Sequence, residues 1–181
     1  LGKVKKVVPG LNAAFVNVGH EKDGFLHYLD FGPNVNSYKK FTDKVISKKS
    51  NTASLKNFRK EKEIEKSGLI TAVLKSGDQI LVQVSKEAIS SKGPRLTAEI
   101  SIAGRNMVLL PFSNKISLSN KIRSQEEKVR LKRLLKSIKP EGFGVVVRTV
   151  AKGKKVIELD SNLKILYKKW QSVFKELKGA Q

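Results

Sequence analysis

The stretch Gly2-Lys3-Val4-Lys5-Lys6-Val7-Val8-Pro9-Gly10-Leu11-Asn12-Ala13-Ala14-Phe15-Val16-Asn17-Val18-Gly19 decides the fold. Residues 3–8 mix Lys and Val as a strand does, Pro9-Gly10 marks a turn, and Ala13–Val18 reads as a second strand. Gly19–Gly24 is a polar turn bounded by glycines, and Phe25–Leu29 is a third strand. Further along, Gln79–Val84 and Leu96–Ile102 flank a basic Ser/Gly/Pro loop at residues 86–94. Five short strands separated by turn chemistry suit a small Greek-key barrel of the OB type. Residues 31–67, rich in Lys, Ser and Asn, read as a long loop or insertion with a helical turn near Ile64.

The second half has a different rhythm. Met107–Leu110 is a short apolar strand stopped by Pro111. Ser124-Gln125-Glu126-Glu127 is a capping box, and Leu131, Leu134, Leu135 and Ile138 follow it at helical spacing. Val145–Val150 is a β-branched strand, and a second helix is expected from Asp160 or Ser161, with Leu163, Leu166, Trp170, Val173, Phe174 and Leu177 on one face. The fold class is therefore α+β: a barrel over residues 1–100 with an insertion at 31–67, then a small α+β unit over 101–181.

The charge points to a partner. The 181 residues carry 37 Lys and Arg against 16 Asp and Glu, a net charge of +21. Both halves contribute, +8 from residues 1–100 and +13 from 101–181. Such a surplus favours nucleic acid over an anionic membrane surface or mere solubilising charge. The absence of cysteine excludes a disulfide scaffold, a thiolate nucleophile and a Cys-based zinc site. No apolar run has the ~18 residues of a membrane helix. The sequence does not begin with Met, so it is expected to be an excised piece of something longer.

Strand alternation singles out candidate contacts. Ala14, Val16 and Val18 share the core face of the second strand, which leaves Phe15 on the other face. Phe25 and His27 share a face of the third strand. Two aromatics amid lysines form the stacking platform that single-stranded nucleic acid needs; packing beneath the insertion is the bland alternative. The loop at 86–95 offers Lys86, Lys92 and a glycine, Gly93, where backbone can approach a phosphate. Arg148-Thr149 at a strand end pairs a guanidinium fork with a hydroxyl, a combination suited to phosphate. The acids are dispersed, with no D-x-D or E-x-D pair at a strand end to hold Mg²⁺.

At the level of motifs the chain resembles the ribonuclease E/G family, and its shorter, ribonuclease G-like members most. The resemblance rests on residues 2–19 quoted above, Asp23-Gly24-Phe25-Leu26, Ser91-Lys92-Gly93-Pro94-Arg95-Leu96-Thr97, Ser101-Ile102-Ala103-Gly104-Arg105 and Phe143-Gly144-Val145-Val146-Val147-Arg148-Thr149-Val150-Ala151. It implies an S1-type RNA-binding domain followed by a 5′-sensor subdomain. By that resemblance Phe15, Phe25, Lys86 and Lys92 contact RNA; His27, on the same strand face as Phe25, is expected as a further contact from the alternation alone. Arg148, Thr149, Gly104 and Val108 form the pocket for a 5′-monophosphate. The parent protein is then expected to be a cytoplasmic, homo-oligomeric, Mg²⁺-dependent endoribonuclease that cuts single-stranded, preferably 5′-monophosphorylated RNA. The catalytic domain with its aspartates is expected to lie downstream, so this stretch should bind without cutting, with no cofactor or metal of its own. The alternative is a stand-alone S1 RNA-binding protein associated with the ribosome or translation.

Overall fold

A computed structural model describes residues 1–180. These divide into two compact units, residues 1–47 with 60–100 and residues 48–59 with 101–180.

In the first unit the strands are β1 (Gly2–Val8), β2 (Ala13–Asn17), β3 (Gly24–His27), β4 (Gln79–Ile80), β5 (Gln83–Lys86) and β6 (Arg95–Thr97). They form one sheet in the order β4-β1-β2-β3-β6-β5. The two edge strands are consecutive in sequence and joined only by Leu81-Val82. Three chain steps from Ile80 to Gln83 reach at most about 10 Å, so the sheet must curl until its edges meet. This is the barrel, and it explains why the expected strand 79–84 is split in two. The core holds Val4, Val16, Leu26, Ile80 and Leu96, and Tyr28 packs on Phe31 at 5.4 Å between ring centres.

Residues 31–67 depart from the expected loop. A 12-residue helix, α1 (Val35–Ile46), occupies the first third, and no helical turn forms at Ile64. Val35, Tyr38, Phe41 and Val45 are buried at helical spacing, and the buried Ser37 and Thr42 share their face. The two hydroxyl residues hide the apolar period from a sequence reading. Ser37 Oγ accepts the Glu61 N–H at 2.9 Å, and the Tyr38 hydroxyl donates to the Ile100 carbonyl at 3.2 Å. Burial, reinforced by the Glu99 charge, pushes the Tyr38 phenol well above its ordinary range, so it serves as a neutral donor.

The second unit contains β7 (Ile102–Ala103), β8 (Met107–Pro111), β9 (Ile116–Leu118), α2 (Gln125–Ile138), β10 (Phe143–Val147) and α3 (Val156–Gly179). The sheet order is β7-β8-β10-β9, with β9 parallel to β10 across the α2 connection. Ser124 caps α2 as its motif predicts, accepting the Glu127 N–H at 3.2 Å. The expected strand 96–102 is divided, its first part in the barrel and its last residue in this sheet. α3 starts four to five residues earlier than expected; its exposed Val156 and Ile157 lie off the apolar stripe, so the apolar period does not show this first turn. Residues 48–59 complete this unit's core: Trp170 Nε1 donates to the Ala53 carbonyl at 2.8 Å, and Phe58 packs on Phe112 at 5.1 Å.

Candidate nucleic-acid interface

Register aligns one row of side chains across five strands of the first unit. Lys6 pairs with Phe15, Phe15 with Phe25, Phe25 with Arg95, and Arg95 with Lys86. Residues paired in register share a sheet face, and neighbouring strands lie about 4.8 Å apart. The row reads cation, aromatic, aromatic, cation, cation. Phe15 and Phe25 meet edge to face with ring centres 5.7 Å apart. Both rings are half-buried, while Ala14, Val16 and Leu26 on the other face are fully buried. The alternation of β2 and β3 thus splits the apolar residues into a core set and an aromatic surface pair, as their order in the sequence dictates.

The two rings floor a cleft of about 720 Å³ whose walls include Lys22, Lys86, Ile89, Lys92 and Arg95. Asp23 and Glu87 also line it. The wall formed by residues 86–95 is a tight hairpin: Ile89 and Lys92 exchange backbone hydrogen bonds of 3.2 and 2.9 Å, and Ser90 has φ +48°. The other wall is the turn at 20–24. Phe25 N–H donates to the Pro94 carbonyl at 2.8 Å, and a Cβ on Gly93 would collide with the Asp23 carbonyl oxygen. Gly93 is therefore required by the close approach of two protein walls.

The structure gathers Phe15, Phe25, Lys86 and Lys92 around one cleft. His27 stands beside Phe25 at 6.4 Å between ring centres, outside the cleft lining. Its Nδ1 accepts the Leu29 N–H at 3.0 Å and caps the short turn Tyr28–Asp30, so that nitrogen is engaged locally. Three contributors escape a sequence reading. Arg95 is held over the cleft by Asp30, with Nε at 3.2 Å and a terminal nitrogen at 3.0 Å from one carboxylate oxygen. Ile89, 73% exposed, puts an apolar side chain beside the rings. Lys6 reaches the row because β1 bulges between Val4 and Lys6. The Lys5-Lys6 doublet, which breaks the strand's alternation, was the available signal.

In the second unit β10 stops at Val147. Arg148 precedes a short turn, Thr149–Ala151, where a strand had been expected to run to Val150. The consequence is chemical: adjacent strand side chains point to opposite faces, and the turn releases Arg148 and Thr149 from that constraint. Arg148 N–H donates to the Asn106 carbonyl at 2.8 Å, beside the β7–β8 turn that contains Gly104. Val108 pairs with Ala103 and with Val146 in the same sheet. A Cβ on Gly104 would press on Asn162 and Leu166 of α3 at 2.9 Å, so this glycine lets the turn lie on the helix. Thr149 Oγ1 lies 2.8 Å from Ser119 Oγ. Both Arg148 and Thr149 are exposed.

Glu127 secures the segment that follows. Its carboxylate takes hydrogen bonds from Arg130, which also donates to the Lys154 carbonyl at 3.0 Å. Those Arg130 bonds, with its charge and the Gly153 N–H, hold the Glu127 carboxyl below the usual carboxylate range. Among the described residues no three His, Cys, Asp or Glu side chains gather to hold a metal ion. No helix among the described residues is long and apolar enough to cross a membrane.

Comparison with known proteins agrees with the motifs. The Ribonuclease E/G family profile matches residues 101–181. Ribonuclease E of Nostoc sp. is 36% identical over 182 residues, 100% of this chain and 23% of that protein. A ribonuclease E/G-like protein of Pyropia yezoensis is 38% identical, covering 97% of this chain and 29% of its own length. Ribonuclease G of Escherichia coli is 30% identical, covering 99% of this chain and 33% of its own. The chain spans between about a quarter and a third of the length of these relatives. With the family profile on the second unit and relatives aligned through both, the chain belongs to the ribonuclease E/G family.

Proposed function

We propose that this chain is the substrate-recognition region of an endoribonuclease that cleaves single-stranded RNA in processing and decay. One observation carries the reading: the row Lys6-Phe15-Phe25-Arg95-Lys86, two touching rings bracketed by cations on one sheet face. Bases stack on Phe15 and Phe25, and every base has a face to offer, so binding tolerates sequence. Lys6, Lys86 and Lys92 meet the flanking phosphates. Duplex RNA keeps its bases stacked on each other and is refused by such a platform.

The second unit reads the 5′ end. Arg148 supplies a planar fork and Thr149 a hydroxyl at the end of β10, beside the Gly104 turn and Val108. A 5′-monophosphate gives the fork two oxygens, whereas a triphosphate is bulkier. The region binds and orients RNA, and Mg²⁺-dependent cleavage belongs to carboxylates other than those described here. A homo-oligomeric parent protein in the cytoplasm goes with the same reading.

The test is a nuclear magnetic resonance titration of the chain with a single-stranded oligoribonucleotide carrying a 5′-monophosphate. Two sets of shifts are expected, one at Phe15, Phe25, Lys86 and Lys92 and one at Arg148 and Thr149. Removing the 5′-phosphate should abolish the second set alone. Shifts confined to other surfaces would overturn the reading.

A further inference from the structure

Ser119 directly follows β9 and is fixed through its backbone. Its N–H donates to the Val147 carbonyl at 2.9 Å, and its carbonyl accepts the Ile122 N–H at 3.1 Å. Its side-chain oxygen accepts the Lys121 N–H at 3.3 Å and sits 2.8 Å from Thr149 Oγ1. A hydroxyl has one proton and two acceptor positions. Two arrangements of the pair are possible. If Thr149 donates to Ser119, its own proton is spent and only lone pairs face an approaching anion. If Ser119 donates to Thr149, the Thr149 proton is free for an oxygen of the anion. A phosphate dianion has no proton to give, so it selects the second arrangement.

We propose that Ser119 is a positioning residue for the 5′-phosphate site: it turns Thr149 into a dedicated donor and never touches the RNA itself. The inference rests on the 5′-phosphate reading above. The hydrogen bonds run in one direction, from Lys121 N–H to the Ser119 hydroxyl, to the Thr149 hydroxyl, to phosphate. A chain of that kind polarises each member in the same sense and strengthens the last bond. A 5′-hydroxyl end both donates and accepts, so it gains nothing from a fixed direction. Ser119 therefore contributes to selectivity between the two ends and leaves the binding of the RNA body alone.

The experiment uses the 181-residue chain, wild type and the variants Ser119→Ala, Ser119→Thr, Thr149→Val and Arg148→Ala. Each is titrated by fluorescence anisotropy with one single-stranded RNA sequence bearing a 5′-monophosphate or a 5′-hydroxyl. The ratio of the two dissociation constants is the readout, and because both are measured on the same protein preparation, a general loss of folded protein cancels. Ser119→Ala should lower the monophosphate preference about two- to tenfold, the range of one net hydrogen bond. Ser119→Thr should restore it, and Thr149→Val should lose at least as much as Ser119→Ala. A full preference in Ser119→Ala, with loss in Thr149→Val, would overturn the role of Ser119 and leave the 5′-phosphate reading standing. An unchanged preference in both Thr149→Val and Arg148→Ala would overturn the 5′-phosphate reading, and the Ser119 proposal with it.

Discussion

Replacing Phe25 by Ala removes the central ring of the row that runs from Lys6 to Lys86. Phe25 lies in register between Phe15 and Arg95, so its loss strips one stacking face and the edge that orients Phe15 at 5.7 Å. One stacked base contributes about 1–3 kcal/mol, which is roughly a 5- to 150-fold rise in Kd. The ring is half-buried and outside the barrel core. The cost in stability should accordingly be the ~0.5–1.5 kcal/mol of the aromatic pair plus the transfer energy of the buried part of the ring, and stay below the ~3–5 kcal/mol of a fully buried core phenylalanine. The assay is anisotropy with a single-stranded oligoribonucleotide, with a melting curve on each variant. Phe25→Leu separates stacking from apolar area, since leucine keeps much of the area and loses the π face; it should bind nearly as poorly as alanine. Because the rings touch, Phe15→Ala and Phe25→Ala together should cost less than the sum of the two singles. Wild-type affinity in a folded double variant would refute the stacking platform.

Three further outcomes are expected. If four to six phosphates are neutralised at about −0.7 each, log Kobs should fall with log salt at a slope of roughly −3 to −4; a slope near zero would show that the +21 charge only solubilises. Glu127 has its folded carboxyl pKa depressed, chiefly by the Arg130 hydrogen bonds, so its contribution is present above the unfolded value near pH ~4.3 and is lost as pH falls through the folded value. The melting temperature of Glu127→Gln should lie below wild type at neutral pH and converge with it only in acid, once the depressed folded carboxyl is itself protonated; a gap independent of pH would contradict the Arg130 and Gly153 contacts. The chain alone should not cleave RNA in Mg²⁺, because its 16 acids are dispersed; cleavage that EDTA stops and that mutation of one of its own carboxylates removes would disprove this.

What the sequence shows of this fold follows from how locally each feature is encoded. The strands β1 to β3 were legible because alternation and Pro/Gly turns are short-range signals, and the Ser124 cap because its partner is three residues away. The helix α1 was not, because Ser37 and Thr42 interrupt its apolar stripe and are nonetheless core residues through long-range packing. The splitting of residues 79–84 was also hidden, since it depends on both sheet edges meeting. Residues 48–59 are invisible for the same reason: Ala53 finds its partner in Trp170, 117 positions away. At the site, Phe15 and Phe25 followed from alternation, whereas Lys6 needed the bulge and Arg95 needed the register of β3 with β6. Ser119 became visible only when the turn at Thr149 brought two hydroxyls within 2.8 Å.

If one surface holds the body of an RNA and another reads its 5′ end, the two contributions separate by mutation. The most direct measurement is a double-mutant comparison of two RNAs of one sequence, 5′-monophosphorylated and 5′-hydroxyl, against wild type, Arg148→Ala and the Phe15→Ala/Phe25→Ala double variant. A charge-assisted bond to phosphate is worth about 1.5–3 kcal/mol, so Arg148→Ala should weaken the monophosphorylated RNA roughly ten- to a hundredfold and scarcely affect the hydroxyl form. The double phenylalanine variant should weaken both RNAs by the same factor. Equal losses for the two 5′ ends in Arg148→Ala, or unchanged binding in the phenylalanine variant, would contradict that separation.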